Sequence, residues 1–190
     1  MPKDTTATRD ALLCAARAEF AEHGIAGARV DRIAQRAGVN KERIYGHFGN
    51  KEKLFDAVMR DALDEVAESV ALPGDDPVDY VGRIYDFHRD NPTVVRLLMW
   101  EALHYRQEAL PGEAQRVAQS ARKVESLARG LGRDPSPDVA RLVLTLIGLA
   151  VWPNAMPTVA RLIVGPEADT PEGKDRMRDH VVEFARAALS

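Results

Sequence analysis

The 190-residue sequence predicts an all-α fold of about nine helices, three short ones in front and longer ones behind. Three observations predict it. Apolar residues recur at spacings of three and four through most of the chain. Alternation with a period of two, bounded by turn residues, does not appear, and β-branched runs are short. Gly and Pro fall mainly where the periodic segments end.

Each element follows from its own pattern. Leu12, Ala16 and Phe20 stand four apart, and Gly24 is expected to end that helix. Val30, Ile33, Ala34 and Ala37 fall on one face of a short second helix, stopped by Gly38. Asn40 suits the N-cap of a third, through Phe48. A fourth begins near Lys51 and runs to about Leu72, with Leu54, Phe55, Val58 and Ala62 inward. A Pro-Gly-Asp-Asp break at 73–76 follows. Pro77 fits a first helical turn, and Val78, Val81, Tyr85 and His88 share one face of that helix. Pro92 opens another, through Trp100 to Tyr105, and Pro111 and Gly112 break the chain again. Val117, Ala121, Val124 and Leu131 mark a helix ending at Gly130 or Gly132. Ser136 or Pro137 opens an apolar helix through Trp152, which Pro153 and Pro157 kink or stop. The last helix runs from about 171 to 188, with Met177, Val181, Phe184 and Ala188 on one side.

Composition narrows the class. Hydrophobic residues make up 45% and charged residues 29%, which suits a soluble globular protein long enough to bury a core without disulfides or metals. The single cysteine, Cys14, excludes an internal disulfide and reads as a small core residue. Residues 1–10 are polar, so no signal peptide is expected. The longest strongly apolar run, 142–152, is too short to span a bilayer, so a cytoplasmic protein with no membrane partner is expected. The net charge of −3 is unevenly spread: residues 1–60 hold 11 Lys/Arg against 8 Asp/Glu, and the rest hold 15 against 21. A basic front on an acidic back fits a small nucleic-acid module carried by another domain.

The informative stretch is 29–53, RVDRIAQRAGVNKERIYGHFGNKEK. Two short helices joined by Ala37, Gly38, Val39 and Asn40 make a helix-turn-helix, over about 29–48. Its second helix would present Asn40, Lys41, Glu42 and Arg43 to a major groove, held on the core by Ile44 and Phe48. Lys41 and Arg43 suit guanine O6 and N7, and Glu42 suits cytosine N4 or simply pairs with a neighbouring cation. Tyr45, His47 and Lys51 suit phosphate oxygens, and Asn50 lies in the same segment. Lys51 also opens the fourth helix, whose N-terminus favours an anion.

Taken together, Val30, Ile33-Ala34, Ala37-Gly38-Val39, Tyr45-Gly46-His47-Phe48, Lys51 and Leu54-Phe55 resemble the TetR family of bacterial repressors, over about residues 8–60. Two departures stand out. The family commonly has Thr or Ser just before the second helix, where Arg29 stands here; the missing cap is worth about 1 kcal/mol. Gly46 lies inside the recognition helix at a cost of about 1 kcal/mol relative to Ala, which suggests a helix that firms up on DNA.

The resemblance implies two domains: 1–60 for DNA binding, and 61–190 as a helical regulatory domain for effector binding and dimerisation. It implies a homodimer through the last two long helices, 142–152 and 171–188, on a palindromic operator in double-stranded DNA. It further implies a repressor released by a small-molecule effector; an activator or effector-independent regulator is the alternative. Candidate effector-pocket residues are Tyr85, His88, Met99, Trp100, His104 and Trp152, with Tyr105 and Met156 beside them. The acidic residues Asp61, Asp64, Glu65 and Glu68 read as a solvated face. No metal site or cofactor is expected. Neither a nucleophile elbow nor a phosphate-cradling glycine loop is present, so an enzyme is not expected.

Overall fold

The computed structural model describes residues 5–74, 76–106 and 108–189. Residues 1–4 of the polar start and Asp75 of the 73–76 break lie outside them. Among the described residues every regular element is helical: ten α-helices and one 3-10 turn. They are α1 (Thr5–Gly27), α2 (Val30–Ala37), α3 (Lys41–Phe48), α4 (Lys51–Ser69), α5 (Pro77–Asp90), α6 (Pro92–Tyr105), α7 (Glu113–Gly130), α8 (Pro137–Ala155), α9 (Pro157–Val164), the 3-10 turn Pro166–Asp169, and α10 (Pro171–Leu189). The all-α expectation holds.

The contacts divide the chain into two units, one built from Met1–Glu65 with Thr93–Pro111, the other from Val66–Pro92 with Gly112–Ser190. The first unit therefore contains α1 to α3, most of α4, and α6. Its core joins Leu12, Ala16 and Phe20 of α1 to Ile33, Ile44, Leu54, Phe55 and Met59, all essentially without solvent contact. The Phe20 and Phe55 rings meet edge to face at 5.2 Å, an arrangement that adds to area burial. Ion pairing joins Arg17 of α1 to Glu65 of α4 at 2.6 Å.

Gly24 does not end α1. It breaks the helix at φ 64°, ψ −179°, a region open to glycine alone, and one more turn follows to Gly27. The Trp100 ring of α6 lies against that break: a Cβ on Gly24 would stand 2.7 Å from Trp100 Cε3. The indole Nε1 donates to the Ala21 carbonyl at 3.3 Å. The Tyr105 hydroxyl, also on α6, donates to Asp56 of α4 at 2.5 Å. Cys14 is exposed, not a core residue, because the buried ridge of α1 runs through Leu12, Leu13, Ala15 and Ala16.

In the second unit α5 packs against both α8 and α10, and α7 against α8. Both α5 and α8 start on an oxygen cap with proline in the first turn: Asp76 accepts from Asp79 N at 2.9 Å, and Ser136 from Val139 N at 3.3 Å. The core holds Val81, Ile84 and Tyr85 of α5, Leu127 and Ala128 of α7, Val139, Val143, Leu146 and Ala150 of α8, and Val181 and Ala185 of α10. Arg178 of α10 ties to Asp86 of α5 at 2.7 Å.

Four sequence expectations need revision. The helix containing 142–152 is 19 residues long and, by length and composition, apolar enough to cross a membrane; its Val139, Val143, Leu146 and Ala150 side chains are instead buried in this unit. Pro157 does not merely stop α8. It occupies the first turn of α9, where its absent N–H costs nothing. On α10 the buried residues are Gly173, Val181 and Ala185, while Phe184 is 56% exposed; small residues at 173 and 185 fill the inward face. At the other end, α4 stops at Ser69, short of Leu72.

Candidate functional site

The helix-turn-helix forms as its residue pattern requires. Gly38 adopts the left-handed conformation, φ 67°, ψ 30°, and its N–H bonds the Ala34 and Gln35 carbonyls, ending α2. Two residues on, Asn40 is extended and its Oδ1 accepts from Arg43 N at 3.3 Å, starting α3. Ile44 and Phe48 are buried, so α3 sits on the core by one edge. Lys41, Glu42, Arg43 and Tyr45 are exposed on the remaining surface, with His47 half-exposed. Four of the expected base-reading and phosphate-binding side chains thus share one solvent-facing helix.

Asn50 and Lys51 also have structural partners. The Asn50 Oδ1 caps α4 by accepting from Lys53 N at 2.7 Å. Lys51 is half-buried and its Nζ donates to the Ala28 carbonyl at 3.4 Å. Lys41 pairs with Asp31 of α2 at 3.1 Å, which raises its pKa chiefly through that hydrogen bond. Both members are largely exposed, so the pair orients more than it stabilises. Among the described residues Glu42 makes no ion pair.

Arg29 stands at the N-cap of α2 and makes no side-chain cap bond. The amide of Arg29 itself, the other donor of a capping box, is bonded from another helix. Glu19 of α1, with no solvent exposure, accepts from Arg29 N at 2.9 Å and from Arg32 Nε at 2.7 Å. In a capping box the third helical residue reaches back to the N-cap amide. Here that residue is Arg32, and Glu19 bridges it to the amide. Burial alone would raise the Glu19 pKa; the Arg32 and Arg29 hydrogen bonds, with the Arg32 and His23 charges, outweigh it and hold the carboxyl below its usual value. The burial is shallow, since Arg32 and Arg36 cover it while being 37% and 45% exposed. Sequence reasoning missed Glu19.

The candidate effector residues do not form one group. Tyr85 and His88 are buried on α5 and line a cavity in the second unit. Met99, Trp100 and His104 belong to α6 in the first unit, where Trp100 packs on Gly24 and His104 meets Tyr105 edge to face at 4.8 Å. Trp152 is 57% exposed on α8. Burial pushes the Tyr80 hydroxyl up to about 12. His88 is pushed down by burial, partly countered by its bond to the Ile84 carbonyl and reinforced by nearby Lys123. Among the described residues no group of three or more His, Cys, Asp or Glu is placed to hold a metal ion.

Comparison with known proteins agrees with this geometry. Residues 12–58 match the family model described as bacterial regulatory proteins of the tetR family, and residues 76–187 match the Tetracyclin repressor-like C-terminal domain. The chain is 39% identical to the HTH-type transcriptional repressor SCO4008 of Streptomyces coelicolor, covering 97% of this chain and 96% of the relative. The crystal structure of SCO4942 from the same species superposes with a TM-score of 0.79 at 30% identity, over 95% of this chain and 97% of that one. A TetR family regulator of Marinobacter aquaeolei shares the fold at 20% identity and a TM-score of 0.69, covering 96% and 97% of the two chains. With a recognition helix that presents Lys41, Glu42 and Arg43 outward, and family matches over both its front and its back, the chain belongs to the TetR family of DNA-binding transcriptional regulators.

Proposed function

We propose that this protein is a cytoplasmic, non-enzymatic homodimeric repressor of a palindromic operator, released by a small-molecule effector. Residues 1–60 carry DNA binding, and 61–190 carry effector binding and dimerisation. The carrying observation is the outward edge of α3, where Lys41, Glu42 and Arg43 stand exposed above a buried Ile44–Phe48 anchor. Lys41, Glu42 and Arg43 read bases, with Asn40 beside them at the groove; Arg29, Tyr45, His47, Asn50 and Lys51 track the backbone. A single eight-residue helix contacts too few base pairs for tight operator binding, so two copies on two half-sites are needed. The exposed Leu144, Trp152 and Phe184 of α8 and α10 supply the apolar surface for pairing.

The test is footprinting with the purified chain at moderate salt, followed by operator binding as a function of salt. A two-fold-symmetric protected site and a steep salt dependence are expected. Lys51→Ala should weaken every sequence equally, and Arg43→Ala should relax one operator position. Equal loss on all sequences for Arg43→Ala refutes base reading by that residue.

A further inference from the structure

We infer that the α5 cavity binds a small, largely apolar ligand through a hydroxyl or amine donor aimed at His88 Nε2. This rests on the regulatory reading above and names the chemistry its effector would carry. The cavity measures about 190 Å³, below the range of sites for drug-sized ligands. Its apolar walls come from Pro92, Pro153, Pro157, Val164 and Met177. Their side chains give shape and adaptable contact but no N–H or O–H to orient a ligand. Orientation has to come from the polar lining.

His88 supplies it. Only 5% of the residue is exposed, and it lines this cavity. Its Nδ1 lies 2.8 Å from the Ile84 carbonyl. A carbonyl only accepts, so Nδ1 carries the proton and the neutral ring presents Nε2 as a lone pair. No hydrogen bond joins Nε2 to the described residues, and Nε2 is not one of their fully enclosed unpaired atoms, so it remains accessible. An accessible acceptor in a cavity wall is satisfied by whatever fills the cavity, and a ligand donor serves as well as water does. Burial and the nearby Lys123 both favour the neutral ring, so His88 offers an acceptor and not a cation. Of the other polar lining groups, Arg89 pairs with Asp86, Asp90 and Asp175, Asp169 pairs with Arg161, the Asn154 amide donates to the Tyr85 carbonyl at 3.3 Å, and Lys174 is exposed.

The test uses three probes of similar size on the full chain: phenol, which donates; anisole, which does not; and benzoate, an anion. Calorimetry on the DNA-free protein is expected to show phenol binding about tenfold tighter than anisole, the worth of one buried hydrogen bond. The ratio should fall to about one in His88→Leu and persist in His88→Gln, whose amide oxygen still accepts. Equal binding of phenol and anisole to the unaltered protein overturns the inference. So does benzoate binding tighter than phenol, an absence of saturable phenol binding, or an unchanged ratio in His88→Leu. Operator release is then measured separately by fluorescence anisotropy. Phenol that binds through His88 without releasing DNA refutes the release mechanism and leaves the site standing. Release by compounds indifferent to His88 does the reverse.

Discussion

Replacing Glu19 tests whether the start of α2 is held by a carboxylate from outside its own segment. Glu19→Ala removes the acceptor for Arg29 N at 2.9 Å and for Arg32 Nε at 2.7 Å. A hydrogen bond to a charged group contributes roughly 1.5–3 kcal/mol when buried. The Arg29 bond takes the low end of that range, and the Arg32 bond less, because Arg32 is 37% exposed and screened. Against this, Glu19 Oε2 has no hydrogen-bond partner, so removing the carboxylate also relieves a desolvation cost. The net loss expected is about 2 kcal/mol, or roughly 4–8 °C in Tm for a chain of this length. Glu19→Gln keeps a neutral acceptor for Arg29 and should lose about half as much. The folded pKa of Glu19 lies below the unfolded value near 4.5. Its contribution is therefore complete above that value and is lost as pH falls through the folded pKa. The gap between the unaltered protein and Glu19→Gln should accordingly close in acid. Circular dichroism melts across pH provide the readout. A Glu19→Ala melt indistinguishable from the unaltered protein at neutral pH would refute the reasoning, as would a gap that does not narrow as pH falls below the unfolded value.

Other expectations follow from single contacts. Gly24→Ala should destabilise by several kcal/mol, about 1–3 of it from the glycine-only backbone and the rest from Trp100; Gly46→Ala, with open space at its Cβ, should stabilise by up to about 1 kcal/mol. Urea unfolding compares the two, and equal signs would be inconsistent with it. Asp31→Asn frees Lys41 and removes an anion near the DNA face, so operator affinity should rise and the salt slope steepen by about one. An unchanged slope in a salt titration would show that Lys41 does not reach phosphate or base. Leu144→Glu combined with Phe184→Glu should yield monomers in sedimentation and lose most operator affinity, because both side chains are more than half exposed on α8 and α10. A dimer that survives both charges would place the pairing surface elsewhere.

The recognition module was legible because its signals are local. Gly38 and Asn40 stop one helix and start the next within three residues, and Ile44 and Phe48 anchor the second by simple spacing. Glu19 was not legible because its partners are 10 and 13 residues away on another helix, and an acid in α1 looks like part of a solvated face. The same limit applies to α10. Periodicity alone put Phe184 inward, but adjacent Ala185 takes the buried position and the ring points out. Pro157 shows a different ambiguity, since proline both ends one helix and begins another. The α5 cavity was half visible: Tyr85 and His88 were expected on one face, while Pro153, Pro157, Val164 and Met177 of its wall lie 65 or more positions later.

The placement of α6 bears on how this molecule can be cut and recombined. The chain enters the second unit after Glu65, returns for Thr93–Pro111, and leaves again at Gly112. No single scission therefore separates the two units. A fragment ending near residue 60 would leave the Gly24 break without the Trp100 ring, and Asp56 without the Tyr105 hydroxyl. Hybrid regulators that graft a foreign sensing half onto this front should transplant 93–111 with the front. Those that keep the foreign α6 would need Gly24, Ala21 and Asp56 rematched to it.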